Sequence, residues 1–69
     1  MNSITKLTGP GFERYALGRK VNNVGAYTAA VQSRTGLDAE VVANGISNAQ
    51  ASAFLRKMEA AGHDVSWSA

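Results

Sequence analysis

Sixty-nine residues and 7.2 kDa allow one domain at most, and 12 of the 31 apolar residues are Ala, which leaves 19 larger side chains for a core. The absence of Cys and the single His exclude disulfide staples, thiolate catalysis, Cys-ligated zinc and any His-based metal site. The net charge of +2 is split unevenly: residues 1–34 hold five basic side chains against one acidic, whereas residues 35–69 hold two against four.

In chain order, residues 1–11 read as an N-terminal arm closed by Thr8-Gly9-Pro10-Gly11, a run that favours a loop. One small α+β domain then spans residues 12–69. Phe12 to Lys20 predicts a strand with Tyr15 and Leu17 on one face and Arg14 and Ala16 on the other. A first helix follows, capped by Asn22 or Asn23, with Val24, Tyr27 and Val31 at i, i+3, i+7 and Gly36 as its stop. Residues 38–44 are ambiguous. Ala39, Val41 and Ala43 alternate with polar positions as in a strand, Val42 breaks the pattern, and Asn44-Gly45 closes the segment in a turn.

The second helix carries the clearest signal. Ser47 and Gln50 form an S-x-x-Q capping box, and Ala51, Phe54, Leu55 and Met58 follow as an apolar stripe at i, i+3, i+4, i+7. Gly62 supplies the left-handed stop. Asp64 to Ser68 alternates with period two and predicts a closing strand with Val65 and Trp67 turned inward. The expected fold is β-α-β-α-β, with three strands and both helices packed on one face.

No catalytic or cofactor motif survives inspection, so the chain reads as a non-enzyme that needs no cofactor or metal. Gly9 and Gly11 begin like a dinucleotide fingerprint, but Arg14 stands where the third glycine belongs. His63 and Asp64 are adjacent, which places them poorly for contact, and no nucleophile accompanies them; a His past a helix end is expected to meet the last carbonyls. Asp38 and Glu40 read as solvated carboxylates. A helix-turn-helix or winged reading would make residues 38–44 a helix and Ser47 to Gly62 a recognition helix. Asn48, Gln50, Arg56 and Lys57 would then be the nucleic-acid-binding residues.

Gly45 to Trp67, GISNAQASAFLRKMEAAGHDVSW, resembles the last strand-end, helix and strand of the C-terminal domain of the bacterial ribosomal stalk protein. NNVGAYTAAVQSRTGL, Asn22 to Leu37, is similar to that domain's first helix, which also ends in Thr-Gly-Leu. The resemblance implies an α+β fold and a docking role. This chain departs from the family in lacking room for a second helix after Leu37, and in having Val24, Ala29 and Gln32 where the family tends to be basic. No factor-binding residue transfers.

These readings converge on a small cytoplasmic binding module. No apolar run reaches the roughly 20 residues of a membrane span. The module is expected to act as a regulator or inhibitor, of the kind phages encode, by docking on a larger protein or nucleoprotein. Arg14, Arg19, Lys20 and Arg34 would form the rim of its contact surface against an acidic partner. The open sheet edges also offer a template for homodimer pairing.

Overall fold

The computed structural model describes residues 1–19 and 21–67. The chain begins with a β-hairpin. Strands β1 (Asn2–Gly9) and β2 (Phe12–Arg19) pair antiparallel in unbroken register from Asn2↔Arg19 to Gly9↔Phe12. Pro10 and Gly11 make the turn, and Gly11 takes φ 68°, a left-handed backbone that favours glycine. Helix α1 (Val24–Thr35), strand β3 (Asp38–Ile46), helix α2 (Asn48–Ala60) and strand β4 (Asp64–Ser66) follow. The sheet order is β3-β1-β2-β4, with β1 antiparallel to both neighbours and β4 parallel to β2.

The α+β class therefore holds, but the sheet has four strands rather than three. Residues 2–9, expected as part of an arm, form a central strand. Register explains why this was hidden. Ile4 and Lys6 face one side of the sheet and Thr5 and Leu7 the other, so the two large apolar residues of β1 sit on opposite faces. A strand covered on both sides loses the period-two signature. Its most buried polar residues, Asn2, Ser3 and Thr5, look solvent-facing by type.

The helices also lie on opposite faces, not on one. Ala51 and Leu55 of α2 pack on Ile4 and Leu17, and Tyr15, Ala43, Ile46, Phe54 and Val65 ring this main core. Tyr27 and Val31 of α1 lie over the other face: a Cβ added at Gly18 would meet the Tyr27 hydroxyl at 2.9 Å and Ser3 Oγ at 3.0 Å. Chain direction accounts for the arrangement. The β2–α1–β3 crossover moves one way across the sheet, and β3–α2–β4 moves back past it. Parallel crossovers are right-handed in about 98% of cases, and two that run in opposite directions keep one hand only with their helices on opposite faces.

Local signals set the helix ends. Asn23 caps α1 by accepting the Ala26 N–H, and Gly36 at φ 71° ends it. In α2 both halves of the capping box form: Ser47 Oγ accepts the Gln50 N–H at 3.2 Å, and Gln50 Oε1 accepts the Ser47 N–H at 2.9 Å. At the other end Gly62 N–H donates to Glu59 O and His63 N–H to Met58 O, which closes a Schellman motif.

Strand β3 runs on through Asn44-Gly45, where a closing turn was expected. Val42 is an extra residue between the Ile4↔Ala43 and Thr5↔Val41 pairs, a bulge that leaves both flanks on their proper faces. A second register shift lies between Asn2 and Ile4, where Gly45 on β3 adopts φ 67°. Val65 joins the main core, but Trp67 lies past the end of β4 and is 40% exposed rather than turned inward. The expected continuation to Ser68 lies outside the described residues. No helix among them is long and apolar enough to cross a membrane.

Candidate functional site

Helix α1 makes most of its sheet contacts with β3, on one edge. Among the described residues no helix covers the other half of that face, where Arg14 and Ala16 of β2 lie beside Ser66 of β4. Between the helix and the strands runs a groove of about 140 Å³. Leu7, Ala16, Tyr27 and Val31 give it apolar walls, while Thr5, Arg14 and Arg34 supply polar groups. The alternation of β1 and β2 puts Thr5, Leu7, Arg14 and Ala16 on one side, and the helical spacing of Tyr27, Val31 and Arg34 turns them towards it.

The two arginines differ in state. Arg14 Nε donates to Asp64 Oδ2 at 2.9 Å, with both side chains about half exposed, and its guanidinium carbon lies 5.1 Å from the Phe12 ring centroid. That bond leaves the terminal amino groups of Arg14 uncommitted to Asp64. Arg34 has no ion pair among the described residues. Thr5 is 1% exposed, and its Oγ1 has no hydrogen-bond partner among them. A buried unpaired hydroxyl costs about 1–3 kcal/mol. This group was not among the expected site residues, because a Thr in an assumed arm carries no sign of burial.

The predicted contact rim is only partly assembled. Arg14 and Arg34 both line the groove. Arg19 is exposed at the opposite end of β2, in register with Asn2, and Lys20 lies outside the described residues.

The other charged residues gather on the α2 side. Glu13 Oε1 lies 2.9 Å from His63 Nδ1, Glu13 Oε2 lies 3.7 Å from Lys6 Nζ, and the Tyr15 ring packs edge-on against His63 at 5.3 Å. The backbone of His63 meets a helix carbonyl as expected, but its imidazole meets Glu13 instead. Asp64 pairs with Arg14 on the opposite face, so His63 and Asp64 form no dyad. Asp38 and Glu40 are exposed on β3, opposite Thr8 and Lys6.

The helix-turn-helix geometry is not formed, because Asp38–Ile46 is a strand where that motif needs a helix. Two of its four reading residues are also engaged within the fold. Asn48 Oδ1 accepts from Asn2 Nδ2 at 2.6 Å, and Gln50 closes the capping box. Arg56 and Lys57 remain exposed on α2, in the layer opposite the groove.

No protein-family model, curated protein or solved structure matches this chain. The functional reading therefore rests on the groove and the charges around it.

Proposed function

We propose that this chain is a small binding module that acts as a regulator or inhibitor by docking an acidic segment of a partner protein onto the open half of the α1 face. The single observation that carries the reading is the groove itself. It is an apolar trough lined by Arg34, which has no ion pair among the described residues, and by Arg14, which Asp64 holds. Apolar walls with a few convergent polar groups are the usual make-up of a binding site. The resemblance of the two helix segments to a ribosomal domain that works by docking supports the same class of role.

The distribution of charge favours a protein over nucleic acid. Binding to a phosphate backbone draws on a continuous array of unpaired cations. Here Lys6 and Arg14 are already paired, Arg19 lies at the far end of β2, and Arg56 and Lys57 sit in the other layer.

The test is a titration of isotope-labelled protein with a peptide of alternating Glu and Leu, followed by amide shifts. Shifts should concentrate at Leu7, Arg14, Ala16 and Arg34. Arg34→Glu should remove binding without changing the unfolding midpoint. Shifts confined to α2, or retention of duplex or single-stranded nucleic acid with a steep salt dependence, would overturn the reading.

A further inference from the structure

We infer that the groove holds a carboxylate pocket with a built-in competitor: Arg34 and Arg14 grip one acidic side chain of the partner segment, the buried Thr5 hydroxyl donates to it from the floor, and Asp64 occupies Arg14 until that side chain arrives. The inference rests on the docking reading and names the chemistry by which the same surface would recognise its partner.

Three observations carry it. First, the hydroxyl of Thr5 is a donor without an acceptor among the described residues, and Thr5 lines the groove while being almost wholly buried. A polar occupant would satisfy it. Second, the two guanidiniums at the groove demand an anion, and the planar fork of Arg matches a carboxylate. Third, the volume of about 140 Å³ suits a short acidic side chain with its aliphatic stem against Leu7, Ala16 and Val31.

Asp64 supplies the competition. It presents a carboxylate to Arg14 Nε at 2.9 Å, the same chemistry as the proposed guest. The contact is about half exposed on both partners, so it is weak enough to exchange. The register explains its position: Asp64 and Arg14 are paired residues of the parallel strands β4 and β2 and point to the same face. An incoming carboxylate gains Arg34 and Thr5, which Asp64 does not engage, and so can displace it.

The probe is glutamic acid capped at both ends, whose only carboxylate is the side chain, with capped glutamine as its neutral isostere. Ionic strength is held fixed and amide shifts are followed. Capped glutamate should give saturable shifts at Thr5, Leu7, Ala16 and Arg34, and capped glutamine none. Asp64→Asn should tighten binding by about two- to fivefold, the scale of an exposed ion pair. Glu59→Gln removes the same charge from the α2 side and should leave affinity unchanged. Thr5→Val should weaken binding about tenfold while leaving the denaturant midpoint equal or higher, because it removes an unpaired buried hydroxyl without changing shape.

Equal shifts from capped glutamine would reduce the groove to an apolar cleft and overturn the inference. So would an affinity unmoved by Asp64→Asn, or a Thr5→Val variant that is less stable and binds as well as the parent. If an acidic peptide binds the groove with the same affinity in both variants, docking stands and the pocket falls. If capped glutamate saturates the groove and no acidic peptide does, the pocket stands and docking falls. Inorganic phosphate forms a separate arm, and binding tighter than capped glutamate would reject the carboxylate assignment.

Discussion

Leu55 is 0% exposed and sits where α2 meets Ile4 and Leu17, so it shows how few side chains secure this molecule. Truncation to Ala leaves a cavity that the small core cannot refill and costs about 2–5 kcal/mol. Stabilities near 0.05–0.15 kcal/mol per residue give a domain of this length roughly 3–10 kcal/mol in total. Leu55→Ala should therefore unfold a substantial fraction of the chain at 25 °C, seen as loss of the cooperative urea transition. Gly36, at φ 71° with open space around its Cα, makes a milder contrast. Ala at that position strains only the backbone, and Gly36→Ala should lower stability by about 1 kcal/mol with the groove intact. Among single residues, the core of α2 was legible in advance because Ala51, Phe54, Leu55 and Met58 obey a helical period. Thr5 was not, since its importance comes from being buried without a partner, and residue type alone does not encode that.

The secondary elements differ in how far they announce themselves, and the cause is the number of faces they bury. Helix α2 buries one face and carries its own boundary signals in Ser47, Gln50 and Gly62, all of which act as read from the sequence. Ser47→Ala should cost about 1 kcal/mol and fray the first turn, visible as faster amide exchange at Ala49 and Gln50. Strand β1 buries both faces, one under each helix, so its apolar residues fall three apart and mimic an irregular arm. Strand β3 was half legible. Its alternation is real, and Val42 interrupts it because it is a bulge residue rather than a sign of helix. Deleting Val42 restores regular pairing from Ile4 to Thr8 without turning any neighbour to the wrong face. That deletion should fold with Ile4 and Thr5 still protected from exchange. The deletion of Glu40 does shift register towards the β3 start, and should lose protection from Lys6 to Thr8.

At the scale of the whole molecule, the arrangement of layers determines where a partner has room to sit. Had both helices shared one face, as the sequence suggested, the other face would be bare sheet and no groove would exist beside α1. The opposed crossovers instead give each face one helix and, among the described residues, leave half of the α1 face without a helix over it. The same topology makes the hairpin strand β1 indispensable. Removing residues 1–11 takes out the partner of both β2 and β3 together with Ile4. A chain starting at Phe12 should show no cooperative unfolding and little far-UV signal from strand. A folded truncation would contradict the central placement of β1. Charge was the least legible property at this scale. The basic bias of residues 1–34 is a fact of sequence, yet among the described residues the fold spreads those cations over different faces and ends, and Arg14 and Arg34 alone line the groove.

The position of β1 also bears on the order in which the domain assembles. Among the described residues the β1–β2 hairpin is the only purely local pairing in the sheet, and hairpins close in about 1–10 μs. Its two flanks then stay open until β3 arrives from one side and β4 from the other, each across a helical crossover. During synthesis the hairpin emerges before either cover, exposing both edges and both faces of its first strand. Short emerging chains should consequently be vulnerable to self-association, and a chaperone that shields sheet edges should raise the yield of folded protein more than it changes its final stability.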